Sequence, residues 1–422
     1  MNNNPLQRLQ NGPMSKAQIV SIAIVIACVG LDGFDVLAIS YASPGIAAEW
    51  HIDRSALGIV LSMELLGMAI GAITLGALAD RIGRRNTILT CLSLMCIGMA
   101  CVTWTRTIAM LCVLRVLTGL GIGGMFASAN ALVAETSNVR RRDLCVTLMT
   151  VGYPLGAIAA GLFAENLLKG YGWRSIFVVG SLATLVMIPI VLLRLPESVS
   201  WLYTRRSPGA LGAAAGQPNG QIRLADPVYA RKVILLTLVY TLHFITFYFL
   251  LKWVPKIVVD LGYPASGAAS VLVWANVGSA IGGAGIGLLA QRFPIRALTG
   301  ILMLGSTIMV CIFGRGQNSL AAMGWICLLT GICTSAGGAG VYAIIASSFP
   351  PGIRASGTGI VIGFGRGGTV LAPIIAGYLF SYGYGLQTVA IIMGCGSLIA
   401  ALLLALSGRS ALAAPTHAHS HS

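Results

Sequence analysis

Long apolar stretches separated by short polar joints recur along the whole chain. A helix needs about 20 apolar residues to cross the hydrocarbon core of a bilayer. The pattern therefore predicts twelve spans, over 17–41, 54–79, 86–104, 107–135, 143–168, 174–194, 231–256, 265–290, 296–313, 319–349, 353–382 and 384–407. Charge and turn signals mark the joints, among them Asp53-Arg54, Asp80-Arg81, Tyr171-Gly172-Trp173-Arg174 and Pro350-Pro351-Gly352. The expected class is an all-α membrane protein.

The polar joints also set the orientation. The even-numbered joints and the termini hold 18 of the Lys and Arg residues, against 6 in the odd-numbered joints. Arg81, Arg84, Arg85, Arg140, Arg141 and Arg142 lead that excess. Basic residues collect on the cytoplasmic side, so both termini are expected in the cytoplasm. The first apolar stretch is long and lacks a small-residue cleavage site, and is read as an uncleaved first span.

Residues 195–230 form one long polar joint, with a Gly-, Ala- and Pro-rich stretch from Ser207 to Gly220. It is expected to be a cytoplasmic linker between an N-terminal bundle, 1–194, and a C-terminal bundle, 231–408, with a disordered tail at 409–422. The halves repeat. Gly76 to Arg85 aligns with Gly287 to Arg296 at an offset of 211, and the same offset lays Gly152-Tyr-Pro-Leu-Gly156 over Gly363-Phe-Gly-Arg-Gly367. Parallel six-helix repeats point to a transporter with its site at the midplane between them.

Composition agrees. Hydrophobic residues make up 56% of the 422 and charged residues 9%, where soluble domains carry about 25% charged. The net charge of +15 sits mostly in the joints, so it reads as topology and not as a nucleic-acid surface. The ten cysteines are scattered singly, as small buried hydrophobes. A His-containing tail, Thr416 to Ser422, is a weak metal candidate at best. With no phosphate loop, nucleophile elbow or ligand constellation, neither an enzyme nor a cofactor is expected.

A few polar residues interrupt the spans. A charge at bilayer depth costs about 2.5–3.5 kcal/mol on insertion scales, and such residues mark ion and solute paths. Asp32 and Asp35 in span 1 share a helix face at i and i+3 and are candidate proton sites; either could carry the proton. Arg366 in span 11 offers a planar fork suited to a carboxylate; the alternative is a buried partner for Asp32 or Asp35. Arg115 in span 4 lies at the depth of Asp35, as an anion-positioning group or a structural ion pair. Glu64 in span 2 is a second proton relay or a vestibule wall. His243 and Phe247 in span 7, and Asn276 in span 8, are further substrate-site candidates. Tyr153 and Phe364 occupy equivalent repeat positions and could sandwich an aromatic ring. Lys252 near the outer end of span 7 could snorkel to water, attract anions or pair with a second carboxylate.

Gly76 to Arg85 reads G-x-L-A-D-R-x-G-R-R, which resembles the signature of the major facilitator superfamily between spans 2 and 3. Pro196-Glu197-Ser198 after span 6 fits it too. Asp32-Gly-Phe-Asp35, the span-4 run from Arg115 through Thr118 and Gly124 to Glu135, and Gly365-Arg366 resemble the aromatic acid:proton symporter family. Two features depart from that family: span 8 has no acidic residue, and Lys252-Trp253-Val254-Pro255-Lys256 closes span 7. The resemblance implies the major facilitator fold, twelve transmembrane helices in two pseudo-symmetric six-helix bundles. It also implies a gating role for Asp80, Arg84, Arg85 and Glu135 at the cytoplasmic end.

Together these features favour a proton-coupled symporter that imports an organic anion, a monocyclic aromatic carboxylate above others, by alternating access. The expected partners are that anion, protons and the lipid bilayer of an inner (plasma) membrane, and the expected state is a monomer. Three alternatives stay open: a symporter of aliphatic mono- or dicarboxylates with Lys252 or Arg115 as a second anion site, a drug or metabolite exporter, and a receptor that binds solute without moving it. Arg366 argues against an exporter of cations.

Overall fold

A computed structural model describes residues 12–198, 201–202, 227–350 and 353–407. Twelve helical segments among them are long and apolar enough to cross a membrane. Thirteen helices build them, two of which share one span: α1 (Lys16–Trp50), α2 (Arg54–Ile82), α3 (Arg84–Val102), α4 (Ile108–Thr136), α5 (Arg142–Leu167) and α6 (Arg174–Arg194) in the first half. The second half holds α7 (Pro227–Asp260), α8 (Ala265–Leu289), α9 (Ile295–Gly314), α10 (Leu320–Ser347), α11 (Arg354–Thr369), α12 (Leu371–Ser381) and α13 (Leu386–Leu406). Spans 11 and 12 of the sequence are thus α11 with α12, and α13. The expected tail at 409–422 and most of the expected linker at 195–230 lie outside the described residues. Of the linker, 227–230 already belong to α7.

Local chemistry fixes the helix ends. Ser15 and Gln18 form a reciprocal capping box at the start of α1, and Asp53, Thr107 and Ser319 cap α2, α4 and α10. The first helix runs past the expected end at residue 41, through Pro44. Proline cannot donate to the Ser40 carbonyl; the Ser43 hydroxyl donates to it instead at 2.8 Å. Span 11 behaves differently. Ahead of Pro373 the Val370 amide bonds Gly367, three residues back, and the Thr369 hydroxyl takes the Arg366 carbonyl at 2.7 Å. The helix breaks one turn after Arg366, which sets that side chain at a bend.

The halves pack alike. Span 2 lies on span 4 with Gly67 facing Gly119, and span 8 lies on span 10 with Gly331 facing Ala275 and Gly278 facing Leu328. Small residues let the backbones approach this closely.

The cores show how the halves meet. At the end away from Lys16 and Leu406, a single apolar cluster joins Leu57 and Leu61 of α2 with Trp253 and Ile257 of α7 and Ala372 and Ala376 of α12. Toward the end that carries Lys16 and Leu406 it divides. Ile88, Leu132 and Met149 belong to a cluster of the first half, and Leu236, Val341 and Leu404 to one of the second. The molecule is closed at the far end and parted at the termini end.

Candidate functional site

Four fully buried charges gather between the halves: Asp35 on α1, Glu64 on α2, Arg115 on α4 and Lys252 on α7. Arg115 Nη1 donates to Asp35 Oδ1 at 2.8 Å, and Nη2 to the Asp35 carbonyl at 3.1 Å. Nη2 also donates to Glu64 Oε1. Lys252 Nζ crosses from the other half to donate to Glu64 Oε2 at 2.8 Å and to the Val36 carbonyl at 2.5 Å. Two carboxylates against two cations leave the cluster neutral, the condition under which buried charges are tolerated.

Asp32 stands outside this cluster. It is 1% exposed, and among the described residues neither carboxyl oxygen has a hydrogen-bond partner. Gly33 brings α1 against α5 beside it; a Cβ there would overlap the Tyr153 carbonyl. The cation whose charge acts on Asp32 is Arg366, half-buried in α11. The Arg366 guanidinium lies 5.5 Å from the centroid of the Phe126 ring of α4, in the opposite half. Among the described residues no carboxylate is within ion-pair distance of it. Its polar neighbours are Tyr240, Tyr342 and Tyr248.

Those tyrosines belong to an aromatic cluster. The Tyr240 and Tyr342 hydroxyls are 2.9 Å apart, and Tyr240 stacks on Phe244 at 4.3 Å. Phe247 meets Phe244 and Tyr248 edge-on. Tyr153 faces the same region, with Asp32, Glu64, Tyr248 and Arg366 as electrostatic neighbours. One anion-receptive guanidinium, one unpartnered carboxyl and a set of rings therefore share the space at mid-bundle.

Several sequence expectations need correction. Lys252 neither snorkels nor stands free to take an anion; of the three expectations for it, pairing with a second carboxylate is the one that holds, and the partner is Glu64. Phe364 does not pair with Tyr153. It is 73% exposed and, two positions before Arg366, on the far side of α11. His243 is wholly buried inside the second half, with Nδ1 2.9 Å from the Ser397 hydroxyl and Nε2 2.9 Å from the Thr334 carbonyl. The carbonyl requires a proton on Nε2, so Nδ1 accepts from Ser397 and both nitrogens are used. Asn276 is buried and donates to Leu272 of its own helix at 2.8 Å.

The expected gating residues form a network at the termini end. Arg84 bonds Asp80 at 3.0 Å and Glu135 at 3.1 Å, and Arg85 donates to the Leu192 carbonyl at 2.6 Å. Every one of these bonds lies within the first half. Glu197 joins them and carried no assigned role in the sequence. It accepts the Arg84 and Arg85 amides at the start of α3 at 2.9 and 3.2 Å, where a helix N-terminus favours an anion. Ser198 donates to Glu135 beside it. Gly83 has φ +102°, and a Cβ there would strike the Glu197 carboxylate, so this position of the signature requires glycine. Tyr240 and Tyr342 were also missed. Tyr240, Phe244, Phe247 and Tyr248 fall at helical spacing on α7, the one signal that could have found the first of them.

The family model of the Major Facilitator Superfamily matches residues 25–314 and 236–419. The chain belongs to this superfamily. As a major facilitator protein it is similar to the gallate transporter of Pseudomonas putida, 28% identical over 433 residues that cover 96% of this chain and 95% of that one. It is also similar to the 4-hydroxybenzoate transporter PcaK of Pseudomonas aeruginosa, 28% identical and covering 93% of each. Among solved structures, a D-xylose-proton symporter shares the fold with a TM-score of 0.77 at 17% identity, covering 92% of this chain and 97% of that one.

Proposed function

We propose that this major facilitator protein is a proton-coupled symporter that imports a monocyclic aromatic carboxylate by alternating access. The observation that carries the reading is Arg366: a guanidinium at mid-bundle, without a carboxylate against it among the described residues, near an unpartnered Asp32 and ringed by aromatic side chains. An ionised Asp32 competes with the substrate for that guanidinium. A protonated Asp32 does not, and a buried carboxyl without partners is most cheaply held neutral. Proton and anion therefore favour each other's binding, which is coupling in the thermodynamic sense. Tyr153 and Phe247 are placed to pack the substrate ring.

The relatives named for gallate and 4-hydroxybenzoate support an aromatic acid as substrate. The bias of basic residues supports a plasma (inner) membrane protein with both termini in the cytoplasm. In that orientation the parted end faces the cytoplasm, and the arrangement is the one from which proton and anion leave. Residues 1–194 and 231–408 then rock as two units about the 195–230 joint, and a single chain suffices. The Asp80, Arg84, Arg85, Glu135 and Glu197 network keeps the inner end of the first half rigid as it moves.

Counterflow tests the substrate class. Proteoliposomes loaded with unlabelled 4-hydroxybenzoate should take up labelled 4-hydroxybenzoate, and gallate and benzoate should compete while succinate does not. Competition by succinate alone would favour the aliphatic reading.

A further inference from the structure

The two halves also meet along α5 and α8. Gly161 of α5 lets these helices touch: a Cβ there would strike Val273 of α8. Beyond that contact, toward the far end, a groove of about 320 Å3 opens between α5, α8 and the start of α10. Glu165 and Lys169 line it from α5, Ser266, Ser270 and Trp274 from α8, and Leu320 from α10. Its polar groups are little used. Lys169 reaches Glu165 only at 4.0 Å, the limit of an ion pair. Ser279, farther along α8, returns its hydroxyl to the Ala275 carbonyl at 3.0 Å, the usual fate of a helix serine. Ser266 and Ser270 make no side-chain hydrogen bond among the described residues. One ammonium, one carboxylate and two hydroxyls are therefore open to a ligand. Apolar groups flank them. Trp274 stacks on Trp325 of α10 with ring centroids 5.8 Å apart, and both rings are exposed. Leu162, also exposed, precedes Glu165 by one turn on the same face of α5. Tryptophan collects where lipid headgroups meet acyl chains.

We propose that this groove binds the headgroup of a phosphatidylethanolamine from the leaflet at the far end. The phosphate accepts from the Lys169 ammonium and from the Ser266 and Ser270 hydroxyls, and the primary ammonium of the lipid donates to Glu165. The acyl chains lie along Leu162, Trp274 and Trp325. A zwitterion of no net charge meets one cation and one anion, and the walls discriminate between headgroups. Phosphatidylcholine has no N–H to give Glu165, and phosphatidylglycerol brings a net negative charge and no cation. Glu165 and Lys169 belong to the first half and the two serines to the second, so the bound lipid ties the halves together. It binds best where both walls are in place, and thus favours the arrangement with the far end closed. The site stands whether or not the chain moves an anion.

The test uses the full chain in nanodiscs of phosphatidylcholine, phosphatidylethanolamine and phosphatidylglycerol in equal parts. Lipid that stays with the protein is identified by native mass spectrometry. Wild type should retain phosphatidylethanolamine roughly tenfold over either competitor, as expected for hydrogen bonds to charged groups. Glu165→Gln should lose the preference for phosphatidylethanolamine over phosphatidylglycerol. The double variant Lys169→Gln, Ser270→Ala should lose retention altogether, and both should melt in detergent at the wild-type temperature. Retention of the three lipids in proportion to their supply would overturn the site, and so would wild-type selectivity in Glu165→Gln. A second measurement reads the tie between the halves. With a cysteine placed at Ile257, phosphatidylethanolamine should slow its reaction with a thiol reagent, and should not do so in the double variant. Equal rates with and without that lipid would show that it does not hold the far end closed, and would overturn the proposal in that respect.

Discussion

Asp32 and Asp35 stand one turn apart on α1, yet Asp35 is bonded to Arg115 at 2.8 Å while neither oxygen of Asp32 has a partner among the described residues. The sequence presents them as one acidic pair. The fold divides them: Asp35 is neutralised within the charge cluster, and Asp32 is left to the field of Arg366.

That division predicts a pH dependence. Losing its proton lets Asp32 hold Arg366, so substrate affinity is strongest at low pH and declines as pH rises. In Asp32→Asn the competitor is gone, and affinity should be flat across the same range. Titration calorimetry of the purified protein with 4-hydroxybenzoate at several pH values checks both curves. A variant whose affinity falls with pH as wild type's does would remove Asp32 from the coupling.

Arg366→Lys keeps the charge but loses the planar fork. A hydrogen bond to a charged group is worth about 1.5–3 kcal/mol, so binding should weaken by roughly 10- to 100-fold. Phe364→Ala should leave the dissociation constant unchanged, because that ring lies outside the site. The ligand-induced rise in thermal stability reports both.

Glu197→Ala removes the anion that accepts two amides at the start of α3. Loss of a comparable helix cap costs about 0.5–2 kcal/mol. Lower thermal stability in detergent is expected, with the substrate dissociation constant retained. Gly83→Ala should destabilise as well, through backbone strain and the clash with Glu197.

At the closed end, Gly58 of α2 meets the backbone of Pro373 and Gly377 of α12. A Gly58→Val side chain has no room there, and the neighbours are backbone atoms that cannot turn aside. The variant should favour the state open at the far end. A cysteine placed at Ile257, buried here in the joint core, should react faster with a membrane-impermeant thiol reagent in a Gly58→Val background. Equal rates would show that this contact does not gate the far end.

The spans were legible because runs of about 20 apolar residues have few other uses. The effect of a proline on a span could not be read from its position alone. Pro44 leaves α1 intact because Ser43 replaces the missing donor, whereas the break before Pro373 follows from its neighbours' hydrogen bonds. The spans that carry His243, Asn276 and Lys252 were readable; the direction each side chain faces was not. Periodicity says little about rotation when every face of a helix is apolar. The Glu64–Lys252 contact joins residues 188 positions apart, and no local pattern announces it. The repeat offset that aligned Tyr153 with Phe364 gave equivalent heights but not equivalent faces.

Gradient-driven uptake tests the central claim most directly. Proteoliposomes containing the wild-type chain, given an acidic exterior and labelled 4-hydroxybenzoate, should accumulate the label above its outside concentration and lose it on addition of a protonophore. Uptake that stops at equal concentrations, or that proceeds unchanged with the protonophore present, would contradict proton-coupled import.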